Sequence, residues 1–234
     1  MPLTLRVRDV TAATPRSRIV RLDLNGHAFD YAPGQAVVIV EADAGKRRPY
    51  SIAAAPEDAR HDRCLELLVG IDGEGRGGPP FPLEPGSPVD IEGPVGTFTF
   101  PDAPEERDFV FVAGGTGIAP LRAMMRHAIA NPARIDHVGL LYSARTPDEF
   151  AYAEEFRALA SRGVIELRQT VTRASEEIDW SGIRGRIDRT ALTALVHDPR
   201  TLCFVCGPAA MVDDIPRLLG EIGVARERIK IEDW

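Results

Sequence analysis

FVFVAGGTGIAPLRAMM, positions 109–125, decides the fold. FVFVA (109–113) is a continuous apolar run, as a strand buried in a parallel sheet requires. Gly114, Gly115 and Gly117 follow, with Thr116 between them. PLRAMMRHAIA (120–130) then has helical spacing, with Leu121, Met124, Met125 and Ile129 on one face. Pro120 falls where the helix is expected to begin, the position that tolerates a missing N–H. Glycines let a backbone approach a ligand closely, and a helix start offers free N–H groups and a positive dipole end. The unit suits a diphosphate. Its spacing is not G-x-G-x-x-G, and no acidic residue closes the next strand as a ribose partner. A strand-to-helix turn without a ligand leaves the same pattern.

Downstream, the alternation continues. HVGLLYS (137–143) reads as a strand and EFAYAEEFRALASRG (149–163) as a helix closed by a glycine cap. VIELRQTVT (164–172) is a strand, LTALV (192–196) a short helix and TLCFVCG (201–207) a strand. AAMVDDIPRLLGEIG (209–223) is a helix broken or kinked near Pro216, and IKIEDW is a last strand. This order implies a doubly wound parallel sheet, in which ligands bind beyond the carboxyl ends of the strands.

Upstream the rhythm differs. LTLRVRDV, IVRLDL, AVVIV, CLELLVG and PVDIEGPV are short strand-like segments separated by turn signals at Asn25-Gly26, Pro33-Gly34 and Pro85-Gly86. No helical segment longer than about two turns appears there. The expected architecture is a small antiparallel β-barrel over residues 1–100, a polar proline-containing linker at 101–108, and an α/β domain over 109–234.

The 234 residues suffice for these two domains. A net charge of −7 disfavours general binding to nucleic acid or anionic membranes. No run approaches the roughly 18 apolar residues of a membrane span, and the N-terminus lacks a signal peptide's apolar stretch. A cytoplasmic protein is expected. Three cysteines are too few for a disulfide framework or for the four thiolates of an iron–sulfur cluster. The five histidines are scattered without metal-ligand spacing, so no metal is expected.

Two further stretches carry chemistry. GKRRPYSIAAAP (45–56) sets Arg48, Pro49, Tyr50 and Ser51 side by side, followed by small residues. An ordinary strand end accounts for it equally well. LCFVCGPAAM holds Cys203 and Cys206 as C-x-x-C. Residues three apart in a strand face opposite sides about 10 Å apart, beyond disulfide reach, which argues against a redox dithiol. Cys203 reads as core, and Cys206, before Gly207-Pro208, as either a buried structural thiol or a ligand-facing one.

Y-A-P-G-Q (31–35), R-P-Y-S (48–51), G-P-V-G-T-F (93–98), A-G-G-T-G-I-A-P (113–120), Y-S-A-R-T-P (142–147), C-G-P-A-A-M (206–211) and a terminal E-D-W (232–234) occur in one order along nearly the whole chain. In this the sequence resembles the ferredoxin–NADP reductase superfamily. The resemblance implies FAD, with Arg48 on its diphosphate, Tyr50 against the isoalloxazine ring and Ser51 near the N5 edge. It implies that Ala53–Ala55 leave room for the cofactor. A second flavin-phosphate motif commonly carries a Ser or Thr hydroxyl. Here GEGRGGPPFPLEPG (73–86) offers glycine instead, leaving Gly75, Gly77, Gly78 and Arg76 as contacts.

The resemblance also implies a nicotinamide dinucleotide on Gly115 and Thr116, with Cys206, Gly207, Pro208 and Met211 near the hydride-transfer site. Arg145, Arg173 and Arg186, with Ser143, are placed for the 2′-phosphate of NADPH, though NADH stays open. Asp148 and Glu149 lie close enough in sequence to neutralise these arginines. Glu232 and Trp234 are expected at the flavin, the indole covering the face that nicotinamide must reach. The implied activity is hydride transfer from NADPH or NADH to FAD, then electron transfer to a separate acceptor. That acceptor is a ferredoxin or flavodoxin first and an oxygenase component second. A flavin or ferric reductase and an electron-transfer component of a larger complex are the alternatives. Lys46-Arg47 and the N-terminal arginines are expected to form a basic docking patch.

Overall fold

The computed structural model describes residues 2–40, 47–71, 79, 81–132, 135–173 and 179–233. Alternating polarity sets the first sheet. Its strands are β1 (Leu3–Thr14), β2 (Ser17–Asp23), β3 (Ala36–Val40), β4 (Arg47–Ser51), β5 (Cys64–Gly70) and β6 (Pro88–Val95). They are antiparallel in the order β4-β3-β6-β1-β2-β5. On β3, Val37 and Ile39 point into the core while their neighbours are half-buried, as a period of two demands. The two edges meet: Ile52 bridges Leu67, and the Ala53 N–H donates to the Glu66 carbonyl at 2.8 Å. The sheet thereby curls into a barrel that closes just past β4, leaving β4 and β5 as its terminal strands. A seven-residue helix, α1 (Pro56–Asp62), follows β4, with proline in its first turn and acidic residues beside it.

The second sheet contains β7 (Asp108–Gly114), β8 (His137–Ala144), β9 (Glu166–Val171), β10 (Ile183–Arg184), β11 (Leu202–Gly207) and β12 (Ile229–Asp233). All pairs are parallel, in the order β10-β9-β8-β7-β11-β12. The helices are α2 (Ile118–Ala130), α3 (Ala153–Ser161), α4 (Arg189–Thr193) and α5 (Ala209–Glu221). The expected barrel and doubly wound sheet are both present.

Several boundaries differ from the sequence reading. α2 begins two residues before Pro120, whose missing N–H still falls among the four that lack helical partners. α3 begins at Ala153 rather than 149, because Tyr152 takes a left-handed conformation (φ 58°). The chain turns there to bury Phe150 between Tyr142 and Trp180, with ring centroids 5.0 and 5.5 Å away. α4 begins at Arg189, where Asp188 caps it by accepting the Ala191 N–H at 2.8 Å. α5 is a single helix through Pro216.

The sheets share packing. Phe98 and Phe100, past the last barrel strand, join Phe109, Phe111 and Phe204 in one buried cluster, with ring centroids 4.9–5.9 Å apart. Aromatic pairs at such distances add about 0.5–1.5 kcal/mol each beyond area burial. This shared cluster packs the segment leaving the barrel against the parallel sheet. Among the described residues, no helix is long and apolar enough to cross a membrane.

Candidate active site

A cleft of about 1120 Å³ lies between the barrel and the carboxyl ends of the parallel strands. It exceeds the roughly 300–1,000 Å³ that single small ligands occupy. Strand register brings its floor together. Cys206 stands beside Ala113 on one side and Glu232 on the other, and Gly114 stands beside Ser143. The crevice opens where β7 and β11 part company in sequence order, the position at which doubly wound sheets bind ligands.

The turn from β7 into α2 is held by contacts that only small residues permit. A Cβ on Gly117 would lie 2.4 Å from the Cys206 carbonyl oxygen, and one on Gly114 would lie 2.8 Å from Pro208. Gly115 has φ +54°, and its carbonyl accepts from the buried Tyr142 hydroxyl at 3.0 Å. These glycines therefore serve loop packing as well as ligand approach. Thr116, Pro120 and the start of α2 face the cleft, presenting backbone N–H groups suited to phosphate.

The two strand cysteines separate as their spacing requires. Cys203 packs with Val110, Val112 and Val205, whereas Cys206 belongs to the cluster on the opposite face and lines the cleft. Both are free. Burial pushes Cys203 up to about 12. Burial also holds the Cys206 thiol well above its usual range, and the carboxylates of Glu232 and Asp233 reinforce it. Burial and the neighbouring acids thus favour the neutral thiol over the thiolate at Cys206. Burial, then Asp233, raises the Glu232 carboxyl to about 7.

Arg48, Pro49, Tyr50 and Ser51 all line the cleft. One face of a strand supplies alternate residues only, but β4 ends its sheet and meets the cleft with its edge as well. Pro49 sits opposite Val38 on that terminal strand, where a missing N–H is tolerated. Y-A-P-G-Q acts as scaffold. The Tyr31 hydroxyl donates to the Ala54 carbonyl at 2.9 Å, and the Gln35 amide donates to the Gly96 carbonyl at 3.1 Å. Ala53–Ala55 are buried and lie outside the cleft lining. The space beside them is taken by Tyr31 and by Arg122, which donates to the Ala53 carbonyl at 2.8 Å.

The cleft also gathers Ser143, Arg145, Arg173, Arg186, Pro208 and Met211. Gly207 is buried behind them, with Met211 against it. Glu149 sits 3.6 Å from Arg16, and Asp148 accepts from the Thr146 hydroxyl. Gly75, Arg76, Gly77, Gly78, Lys46 and Trp234 lie outside the described residues. Thr14, Arg16 and Ser17, from the β1–β2 turn, line the cleft without any motif to announce them. Of the proposed docking patch, Arg47 pairs with Glu92 and Arg8 with Asp23, so neighbouring carboxylates offset part of that charge.

Arginines, hydroxyls, an aromatic ring and helix-start N–H groups around one large cleft form a donor set matched to dinucleotides carrying diphosphates and flat rings. This architecture is that of a dinucleotide-dependent oxidoreductase. Residues 111–217 match the family described as Oxidoreductase NAD-binding domain. The chain is 32% identical over 246 residues to ferredoxin–NADP reductase B of Sorangium cellulosum, covering 100% of this chain and 98% of that relative. It is 27% identical over 247 residues to the oxidoreductase NAD-binding domain-containing protein 1 of Danio rerio, covering 98% of this chain and 90% of that one. The solved structure of the cytochrome P450 reductase GcoB from Amycolatopsis superposes with a TM-score of 0.86 at 27% identity, covering 100% of this chain and 69% of GcoB. The chain belongs to the ferredoxin–NADP reductase superfamily, oxidoreductases that use FAD with NAD(P)H.

Proposed function

We propose that this enzyme oxidises NADPH at the parallel-sheet side of the cleft and delivers the electrons, through FAD at β4, to a separate protein of the ferredoxin or flavodoxin class in the cytoplasm. Residues 1–100 form the flavin unit and 109–234 the coenzyme unit, joined by 101–108. The observation that carries this reading is the single cleft onto which Arg48, Tyr50 and Ser51 converge with Thr116, Cys206 and Glu232. FAD held by Arg48, Tyr50 and Ser51 would supply both two-electron and one-electron chemistry at the cleft. The chain's own task is positional. Arg48 binds a diphosphate, Tyr50 offers a ring face and Ser51 a hydroxyl. Thr116 and the start of α2 bind the second diphosphate, while Arg145, Arg173 and Arg186 select the 2′-phosphate. Cys206 supports the nicotinamide as a neutral thiol, and Glu232 holds a proton beside it.

The deciding experiment is steady-state NADPH oxidation by the flavin-loaded protein with ferredoxin, flavodoxin, free flavin or ferric chelate as acceptor. Fast turnover with the protein acceptors and slow turnover with the small ones is expected. The opposite order points to a flavin or ferric reductase. Turnover with none of the four points to an oxygenase component or to a protein that works only within its complex.

A further inference from the structure

His137 opens β8, Glu166 opens β9 and His197 follows α4. The parallel sheet places the starts of its strands at the edge opposite the cleft, so this cluster is remote from the redox site. No spacing in the sequence marks it, since 28 and 30 residues separate the three in turn. Their ligand atoms nonetheless lie within 4.8 Å of one another. Glu166 Oε2 is 3.1 Å from His197 Nε2 and 3.5 Å from His137 Nε2. Ligands about 2.0–2.1 Å from a tetrahedral zinc ion stand about 3.3 Å apart, so these separations bracket those of a coordination edge.

Two other observations point to a ligand. Both ring nitrogens of His137 are buried without a hydrogen-bond partner, and buried polar atoms in folded proteins are rarely left so. The ring is also held in place. A Cβ on Gly139 would come within 3.2 Å of His137 Cε1, so that glycine leaves the space the imidazole fills. Arg168 Nη2 sits 3.3 Å from the other Glu166 oxygen, Oε1. It orients the carboxylate while leaving Oε2 to the histidines, the way neighbouring groups usually aim metal ligands. Its positive charge also opposes a cation and limits affinity.

We propose that His137, Glu166 and His197 bind one divalent transition-metal ion of the zinc class, leaving a coordination position open to solvent. Two imidazoles and one carboxylate suit zinc better than magnesium or calcium, which take oxygen ligands. The His197 side chain is 52% exposed, so the ion has a direct path in. Bound there, it links the starts of β8 and β9 to the segment after α4.

The test uses untagged, flavin-loaded full-length protein stripped with a chelator and titrated with Zn²⁺ against a chromophoric competitor. One equivalent per chain is expected, with a higher thermal transition. His197→Ala and Glu166→Gln should each weaken binding by at least about tenfold while retaining the flavin spectrum. His197→Cys should bind Co²⁺ with the intense thiolate-to-cobalt band that the wild-type complex lacks. Absence of stoichiometric Zn²⁺ binding to wild type overturns the proposal. So do unchanged affinity in both His197→Ala and Glu166→Gln, or a thiolate band in the wild-type Co²⁺ spectrum, which would move the ion to a cysteine.

Discussion

Arg122 on α2 donates through Nη1 to Glu66 Oε1 on β5 at 2.8 Å, with only 11% and 7% of the two side chains exposed. The same guanidinium reaches Glu155 on α3 at 2.8 Å and lies 4.2 Å over the Tyr152 ring. Glu66 also accepts from Arg21 at 2.8 Å. One cation thus ties the barrel to two helices of the parallel-sheet half. Breaking a buried ion pair costs about 3–5 kcal/mol, and because Glu66 keeps Arg21 and Glu155 keeps Arg126, the loss for Arg122 falls at the lower end of that range. Arg122→Met should lower the unfolding free energy by that amount in urea titration. Adding Glu66→Gln should recover part of the loss. A single variant as stable as wild type would show that the network does not hold the halves together.

The proposed function assigns coenzyme choice to the arginines at the carboxyl edge. A hydrogen bond to a charged group is worth about 1.5–3 kcal/mol. Arg145→Ala and Arg173→Ala should therefore each lower kcat/KM for NADPH relative to NADH by about 10- to 150-fold. Steady-state kinetics with both coenzymes checks this. A wild-type preference for NADH contradicts the assignment.

The two thiols of C-x-x-C should behave differently. Cys206→Ala should keep its flavin and slow flavin reduction in stopped flow, since only this cysteine faces the cleft. Cys203→Ala should leave that rate unchanged and cost about 0.5–1.5 kcal/mol of stability, the range for deleting one buried heavy atom. Equal reduction rates for the two variants would make Cys206 a packing residue.

Glu232 sets a pH dependence. Its carboxyl is raised to about 7 in the folded protein, against about 4.3 when unfolded. The protonated form is thus the one the fold favours. Its contribution is complete below the unfolded value and is lost as pH rises through about 7. Glu232→Gln imitates the protonated side chain, so its melting temperature should gain on wild type between pH 5 and pH 8. Thermal scans across that range test it, and a constant difference would place the carboxyl in solvent.

Much is legible in the sequence because period and punctuation are local properties. The apolar run ending at Ala113, the glycines after it and the helical spacing of Leu121, Met124 and Met125 specify strand, turn and helix without reference to the rest of the chain. The opposite facing of Cys203 and Cys206 follows from the two-residue period of a strand. Helix starts are less legible. Asp188 caps α4 through a hydrogen bond that competes with other local options, and Tyr152 delays α3 because Phe150 is drawn under Trp180 by burial. The role of Ala53–Ala55 needed the tertiary contact with Arg122 and Tyr31. Arg16 reaches the cleft only because the β1–β2 turn is carried there by the curl of the barrel. The histidines and Glu166 meet only because parallel strands begin at a common edge. Sequence alone determines which segments become strands, turns and helices, since backbone conformation answers to near neighbours. Which distant side chains share a charge, a cleft or a cluster of histidines was decided by tertiary packing, since those distances are set by the summed burial of the whole chain.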